Sequence, residues 1–370
     1  MDLIDLAKSG DEKAFTSLIS ENKRELYNIP VIAVTGSVGK TSVKDIIYAV
    51  ASSKYKVLCT KGNMNNHIGV PLTILGLDNH EVLILEMGMN HAGELHTLSN
   101  IANPTISVIT NIGTAHIGNL GSRENILKAK LEILDGVNHD TLIINNDDDM
   151  LRTVKYDNII TVGIDNDSDY MATDIVDNIF SSNFYINDDY ISLPVGSKAF
   201  VYNAVFGYAV GRKLGIEVEL IKDALMNFKL TPHRLELIDT GRVRIIDDTY
   251  NASLDSVRNA LQLLGKVDKR RVFIFGDILE LDDFGEEIHK EIGDIVIENN
   301  IDLLIAVGNL SKYTYDVLNQ TDRKCYYFKD NLELINDIER IINDDDMILV
   351  KGSNGMKLVD VVNYLKKKIK

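Results

Sequence analysis

"VIAVTGSVGKTS", residues 31–42, runs from a short apolar stretch through glycines to a lysine and two hydroxyls. The usual phosphate loop reads GxxxxGK[ST]: backbone N–H groups surround phosphate oxygens, the lysine neutralises charge and the hydroxyl ligates magnesium. Gly39, Lys40 and Thr41 fit that pattern, whereas Val34 stands where the first glycine belongs and the glycine comes later, at Gly36. VIAVTG reads as a strand and TSVKDIIYAVASS as a helix, so the loop joins a strand to a helix N-terminus, where phosphate binds. A lone glycine pair would mean only a turn. Gly-Lys-Thr in this setting points to a bound nucleoside triphosphate held by Gly36, Ser37, Gly39, Lys40 and Thr41.

Outward from the loop, short apolar runs alternate with helical stretches: EVLILEMG, TISVITNIG and TLIINND as strands, NILKAKLEIL as a helix. Such alternation predicts a parallel sheet with crossover helices. Residues 155–195, rich in Asp, Asn and Ser with β-like NFYIN and YISLP, predict a small antiparallel addition, and AFVYNAVFGYAVGRKLG predicts a helix ending at Gly215. Pro232 breaks the helical pattern, after which VRIIDD, RRVFIFGD, LLIAVG and MILVKGS start a second α/β unit. The reading is α/β throughout: a short N-terminal helical remnant over 1–29, a central phosphate-loop ATPase domain with a parallel sheet over 30–231, and a Rossmann-like C-terminal domain over 232–370. Within the remnant, residues 11–27 predict an amphipathic helix with Asp11 at its start.

The chain is 370 residues long with a net charge of −16, so a general nucleic-acid binder is excluded: it would need dense cations on one face. Any phosphate site is local. The two cysteines, Cys59 and Cys325, lie too far apart in sequence for metal-ligand spacing, which argues against a disulfide framework and for a reducing, cytoplasmic setting. No export signal and no apolar run long enough to span a membrane is evident.

Six further strings resemble the Mur ligases, ATP-dependent amide-forming enzymes of cell-wall assembly, and within them the D-alanyl-D-alanine-adding branch. They are TKGNMNNHIGVPLTIL (60–75), LEMGMNHAGEL (85–95), TNIGTAHIGNLGSRENILKAKLEI (110–133), DDTYNASLDSVRNAL (247–261), FGDILELDDFGEEIH (275–289) and VKGSNGMK (350–357). TYNAS and GDILEL point to that branch and away from folylpolyglutamate synthase and the ligase half of cyanophycin synthetase, which share the chemistry on other acceptors. The resemblance implies a ligase that joins a carboxylate to an amino acid or dipeptide through an acyl phosphate, releasing ADP and phosphate. It implies magnesium held by Thr41 and Glu86, His116 beside a second metal, and Lys130 carrying a carbamate that ligates metal. It implies Asn203 on the adenine, Arg234 on the γ-phosphate, Asp248 on the ribose, and Tyr250 and Asn251 lining the same cleft. Asn65, Asn66, Lys351 and Ser353 are implied substrate contacts. Retention of Lys40, Glu86, His116 and Lys130 argues against a non-catalytic ATP-binding subunit.

Two departures stand against the family. Mur ligases usually begin with a domain that binds the uridine nucleotide of the acceptor, and only Met1–Ile29 precede the loop here, so acceptor recognition is expected to be simplified or supplied by a partner protein. Asn354 and Val359 stand where an arginine and a glutamate are usual, in the region expected to hold the incoming amino component.

Overall fold

The computed structural model describes residues 28–136, 141–279 and 281–368. The expected helix over 11–27 lies outside them. Two sheets organise the chain. The first is built from β1 (Val31–Thr35), β2 (Val57–Cys59), β3 (Val82–Glu86), β4 (Ile106–Ile109), β5 (Thr141–Asn145), β6 (Ile159–Gly163), β7 (Tyr170–Asp177), β8 (Ser182–Ile186) and β9 (Asp189–Leu193), in the order β2-β3-β1-β4-β5-β6-β7-β8-β9. Neighbours from β2 to β7 are parallel, and β7-β8 and β8-β9 are antiparallel. The stretch 155–195 is thus not a separate antiparallel piece: β6 joins the parallel ladder, and only the β7–β9 end turns antiparallel. The apolar runs of β1, β3 and β4 are continuous because both faces are covered. Ile32, Val34, Ile84 and Val108 pack into one core and Val31, Ala33, Leu83 and Leu85 into the other.

On the first face the helix Lys40–Ser52 lies against the helix Lys198–Lys213, which Ser197 caps through Ala199 N and which ends before Gly215 at φ +71°. The two approach so closely that a Cβ on Gly207 would sit 2.4 Å from Ile46 and one on Gly211 2.7 Å from Val50. That packing fixes the helix that carries Lys40 and Thr41 at its start.

The second sheet contains β10 (Glu236–Asp239), β11 (Arg244–Asp248), β12 (Arg271–Gly276), β13 (Leu303–Val307), β14 (Lys324–Phe328) and β15 (Met347–Lys351), in the order β10-β11-β15-β12-β13-β14, parallel except for β10. The edge strands β2 and β14, absent from the sequence reading, are only half-buried and lack the uninterrupted apolar run of the central strands. In the first sheet β1 is flanked by β3 and β4 while the chain from β1 continues to β2, so the strand order switches at β1. Ligands of open α/β sheets bind beyond the carboxyl ends at such a point. The phosphate loop follows β1, Glu86 is the last residue of β3, and Thr110–Gly113 follow β4. Among the described residues no helix is long and apolar enough to cross a membrane.

Candidate functional site

The phosphate loop is held open by the segment after β4. Asn111 grips Val38 twice, its Oδ1 accepting from Val38 N at 2.9 Å and its Nδ2 donating to Val38 O at 2.9 Å. Thr110 Oγ1 donates to the same carbonyl at 2.6 Å, and Gly113 N donates to Ser37 Oγ at 2.9 Å. Sequence reasoning placed no role on Thr110 or Asn111; the signal was their position directly after a strand neighbouring the loop. Gly36 has φ +148°, and a Cβ there would lie 1.9 Å from Thr110 Oγ1. The displaced glycine is therefore required where it stands. Gly36→Ala should cost about 1–3 kcal/mol for overpacking and a similar amount for backbone strain. Urea denaturation and ADP titration check this, and a variant with the parent midpoint and affinity would remove the steric argument.

Lys40 Nζ donates to Gly36 O at 2.8 Å and Ser37 O at 3.3 Å, which keeps the ammonium inside the loop. Burial pushes its pKa down; Glu86 pulls it up, and Arg234 presses it down again. Arg234 belongs to the segment leading into the second sheet, yet its Nη2 donates to Thr41 Oγ1 at 2.9 Å, and its guanidinium lies 4.0 Å from the centroid of the Tyr250 ring. The cleft between the sheets thus brings Lys40, Thr41 and Arg234 together. Asn203 is buried at the foot of the loop, where a Cβ on Gly39 would stand 3.6 Å from its Oδ1.

Glu86 is 3 % exposed. Its Oε1 accepts from Asn65 Nδ2 at 2.8 Å, while Oε2 is buried with no hydrogen-bond partner. Such an orphan acceptor costs free energy unless a cation or donor meets it. Lys130, on the helix Arg123–Leu131, is only 1 % exposed, and among the described residues no carboxylate lies within ion-pair distance of it. Burial drives its pKa well below the usual lysine value, and the Lys40 ammonium adds to the effect. His116, half-buried with φ +64°, has its pKa lowered to about 4 by burial and then by Lys40, Lys130 and His91. At neutral pH it is an uncharged imidazole, the form that ligates metal.

The remaining predicted residues are more fully engaged. Asp248 pairs with Lys351, which is 2 % exposed, at 2.5 Å, and Lys351 Nζ also donates to Asn251 O at 3.0 Å. The structure thus makes Lys351 a strut between β15 and the TYNAS loop. Ser353 Oγ accepts from Leu279 N at 2.9 Å, tying the KGS and GDILEL loops together, and Asn354 Nδ2 donates to Tyr250 O at 3.1 Å. Asn66 Oδ1 accepts from Ile68 N and Gly69 N at the start of the helix Gly69–Leu75. Asp255, which the sequence reading passed over, has a buried Oδ2 without a partner, directed at Gly113, where a Cβ would come within 2.3 Å.

A phosphate loop, an acidic strand end and an arginine crossing from the second sheet find counterparts among known proteins. The chain matches the Mur ligase middle domain over residues 34–211 and the Mur ligase glutamate ligase domain over residues 233–354. The chain belongs to the Mur ligase family. It is an ATP-dependent ligase that closes an amide bond. It is 38 % identical over 344 residues to the UDP-N-acetylmuramoyl-tripeptide--D-alanyl-D-alanine ligase of Bacillus subtilis, covering 90 % of this chain and 75 % of that one. Among solved structures, this Mur ligase superposes on MurF from Acinetobacter baumannii with a TM-score of 0.89 at 30 % identity, covering 97 % of this chain and 81 % of that one. MurF ligase from Thermotoga maritima, solved in complex with ADP, gives 0.87 at 26 %, with 97 % and 84 % covered.

Proposed function

We propose that this Mur ligase adds D-alanyl-D-alanine, or a closely similar amino component, to the terminal carboxylate of a cell-wall peptide. The observation that carries the reading is the convergence of Lys40, Arg234 and the orphaned Glu86 oxygen on one phosphate loop in a relative of D-alanyl-D-alanine-adding enzymes. The acceptor carboxylate attacks the γ-phosphorus, ADP leaves, and the amine then attacks the acyl phosphate and expels phosphate. Both partners in the first step are anionic, so positioning and charge neutralisation carry most of the rate. Lys40 holds phosphate oxygens from within the loop. Arg234 brings a second cation from the other side of the cleft, so that domain approach and charge neutralisation occur together. Asn203 and Asp248 are the proposed nucleotide contacts beyond the phosphates, with Tyr250 and Asn251 beside them. Asn65, which donates to Glu86, is the proposed contact to the acceptor.

The donor set fits a divalent cation: Thr41 and Glu86 at one position, His116 and a carbamylated Lys130 at another. When bound, magnesium would neutralise the developing charge on the transferring phosphoryl group. Glu86 contributes an unengaged oxygen. His116 contributes a neutral nitrogen. The Lys130 amine, whose proton burial loosens, would add in its neutral form to the carbon of carbon dioxide and release a proton, which converts a buried base into an anion. Acceptor recognition by residues outside the two matched domains, or by a partner protein, goes with this proposal.

The test is phosphate release and product mass with ATP, magnesium and D-alanyl-D-alanine, offering either the uridine-nucleotide-linked tripeptide or the free tripeptide. Ligation of the first is expected. Product from the free peptide alone would replace the acceptor in this reading, and no product from either would overturn the assigned substrates.

A further inference from the structure

His233, Glu236 and Asp247 gather ligand-type atoms within 4.8 Å of one another, just behind Arg234. They are tied together and to their neighbours by hydrogen bonds. His233 Nδ1 lies 2.8 Å from Asp247 Oδ2, and since a carboxylate only accepts, Nδ1 carries the proton. Asp247 is fully buried, and its Oδ1 takes Thr249 N at 3.2 Å and Thr249 Oγ1 at 2.7 Å. A Glu236 oxygen accepts from His233 N at 3.1 Å. The group is a hydrogen-bonded clamp, and what it clamps is an unusual piece of backbone. His233 and Leu235, on either side of Arg234, both have left-handed φ, +64° and +51°. Leu235 is branched and gains nothing locally from that conformation. The surroundings impose it: Tyr250 N donates to His233 O at 3.2 Å, and Leu235 N donates to Asp248 Oδ1 at 3.3 Å.

We propose that His233 is a positioning residue for Arg234, acting through its bond to Asp247. The left-handed turns on either side throw the Arg234 side chain across the cleft, where it meets Thr41 Oγ1 and stacks on Tyr250. The His233–Asp247 bond adds a side-chain tie to those backbone bonds; without it the turn is held less firmly, and the guanidinium strays from the line of the phosphate loop. Arg234 Nε is buried without a partner, so one donor of the fork is held unspent in the cleft. The inference rests on the reading of Arg234 as the cation that meets the transferring phosphate.

The experiment is a double-mutant cycle read by steady-state ATP turnover in the complete ligation reaction, with thermal melting as a control on folding. The His233 side chain is 39 % exposed, so His233→Ala should remain folded. It should lower kcat about ten- to a hundredfold, as expected for a misplaced reacting-site group, with a smaller change in KM for ATP. His233→Asn should restore most of the rate, because asparagine tolerates left-handed φ and offers an amide donor to Asp247. In an Arg234→Ala background, His233→Ala should add less than about a further twofold loss. Full additivity of the two losses, or a normal kcat for His233→Ala beside an impaired Arg234→Ala, would overturn the positioning role. A normal rate in Arg234→Ala alone would instead remove the reading of Arg234 on which it rests.

Discussion

Lys130→Met should abolish ligation, lowering kcat by about 10³-fold or more, while raising the stability of the protein at pH 7. The two effects share one cause. Burial makes the ammonium form expensive, so the Lys130 amine is neutral in the fold well below the usual lysine range, with Lys40 adding to the push. The unfolded chain holds a proton there more tightly than the folded chain does, so folding works against proton binding. The sign follows: in carbon-dioxide-free buffer this group lowers stability below the unfolded lysine pKa, and the deficit shrinks as pH rises toward that value. Methionine fills a similar volume without an amine and escapes the penalty. Denaturant unfolding from pH 7 to 9 should therefore show the parent gaining stability on the variant. A neutral amine is also the nucleophile that carbon dioxide needs. Labelled bicarbonate should give a carbamate carbon resonance in the parent and none in Lys130→Met. Full activity of the parent after rigorous removal of carbon dioxide would falsify the carbamate, and an active Lys130→Met would remove Lys130 from the mechanism altogether.

The depth at which sequence spoke differed from site to site. The loop at 36–41 and the strands around it were legible because a buried parallel strand must be apolar on both faces, and because Gly-Lys-Thr at a helix start is the pattern of a phosphate cradle. The half-buried edge strands β2 and β14 carried no such pattern, and β6 lay in a polar stretch whose parallel pairing depends on β5 beside it. At the site, Lys40, Thr41, Glu86 and Arg234 were named in advance and meet in the cleft. The carbamate at Lys130 came from resemblance alone; the burial that the structure adds, with no carboxylate partner among the described residues, is not disclosed by spacing in a sequence. Lys351 is the instructive case. The resemblance implied a substrate contact there; residue pairing across β11 and β15 sets it opposite Asp248, in an ion pair that the sequence alone did not disclose. Long-range register of that kind is invisible until both strands are placed. The same holds for the His233–Asp247 bond and for Asp255, whose only trace in the chain is a glycine at 113 that leaves room for it.

Lys40→Ala should leave the fold intact and remove ATP turnover, with kcat/KM for ATP down by about 10³-fold or more, the scale at which a cation on a transferring phosphoryl group acts. The structure gives a reason beyond the motif. Lys40 and Arg234 come from different sheets; burial is the main cause of the lowered Lys40 pKa, Glu86 opposes it, and the like charge of Arg234 adds to it. The like charges of Lys40 and Arg234 weaken the approach that the Arg234–Thr41 bond and Glu86 favour. Nucleotide phosphates between the two cations would turn that repulsion into attraction, so part of the binding energy would hold the two sides of the cleft together. Removing Lys40 deletes both the phosphate contact and the repulsion. Without nucleotide the variant should melt at or slightly above the parent temperature. With saturating ADP the parent should gain more melting temperature than the variant, because stabilisation by a ligand grows with its affinity for the folded state. Lys40→Arg should not rescue, since the Nζ position lies within the loop, at 2.8 Å from Gly36 O, and a guanidinium is too broad for it. A Lys40→Ala protein that binds ADP like the parent but turns over nothing would confine Lys40 to the transition state; one that also turns over normally would remove the phosphate-loop reading from which the whole site was built.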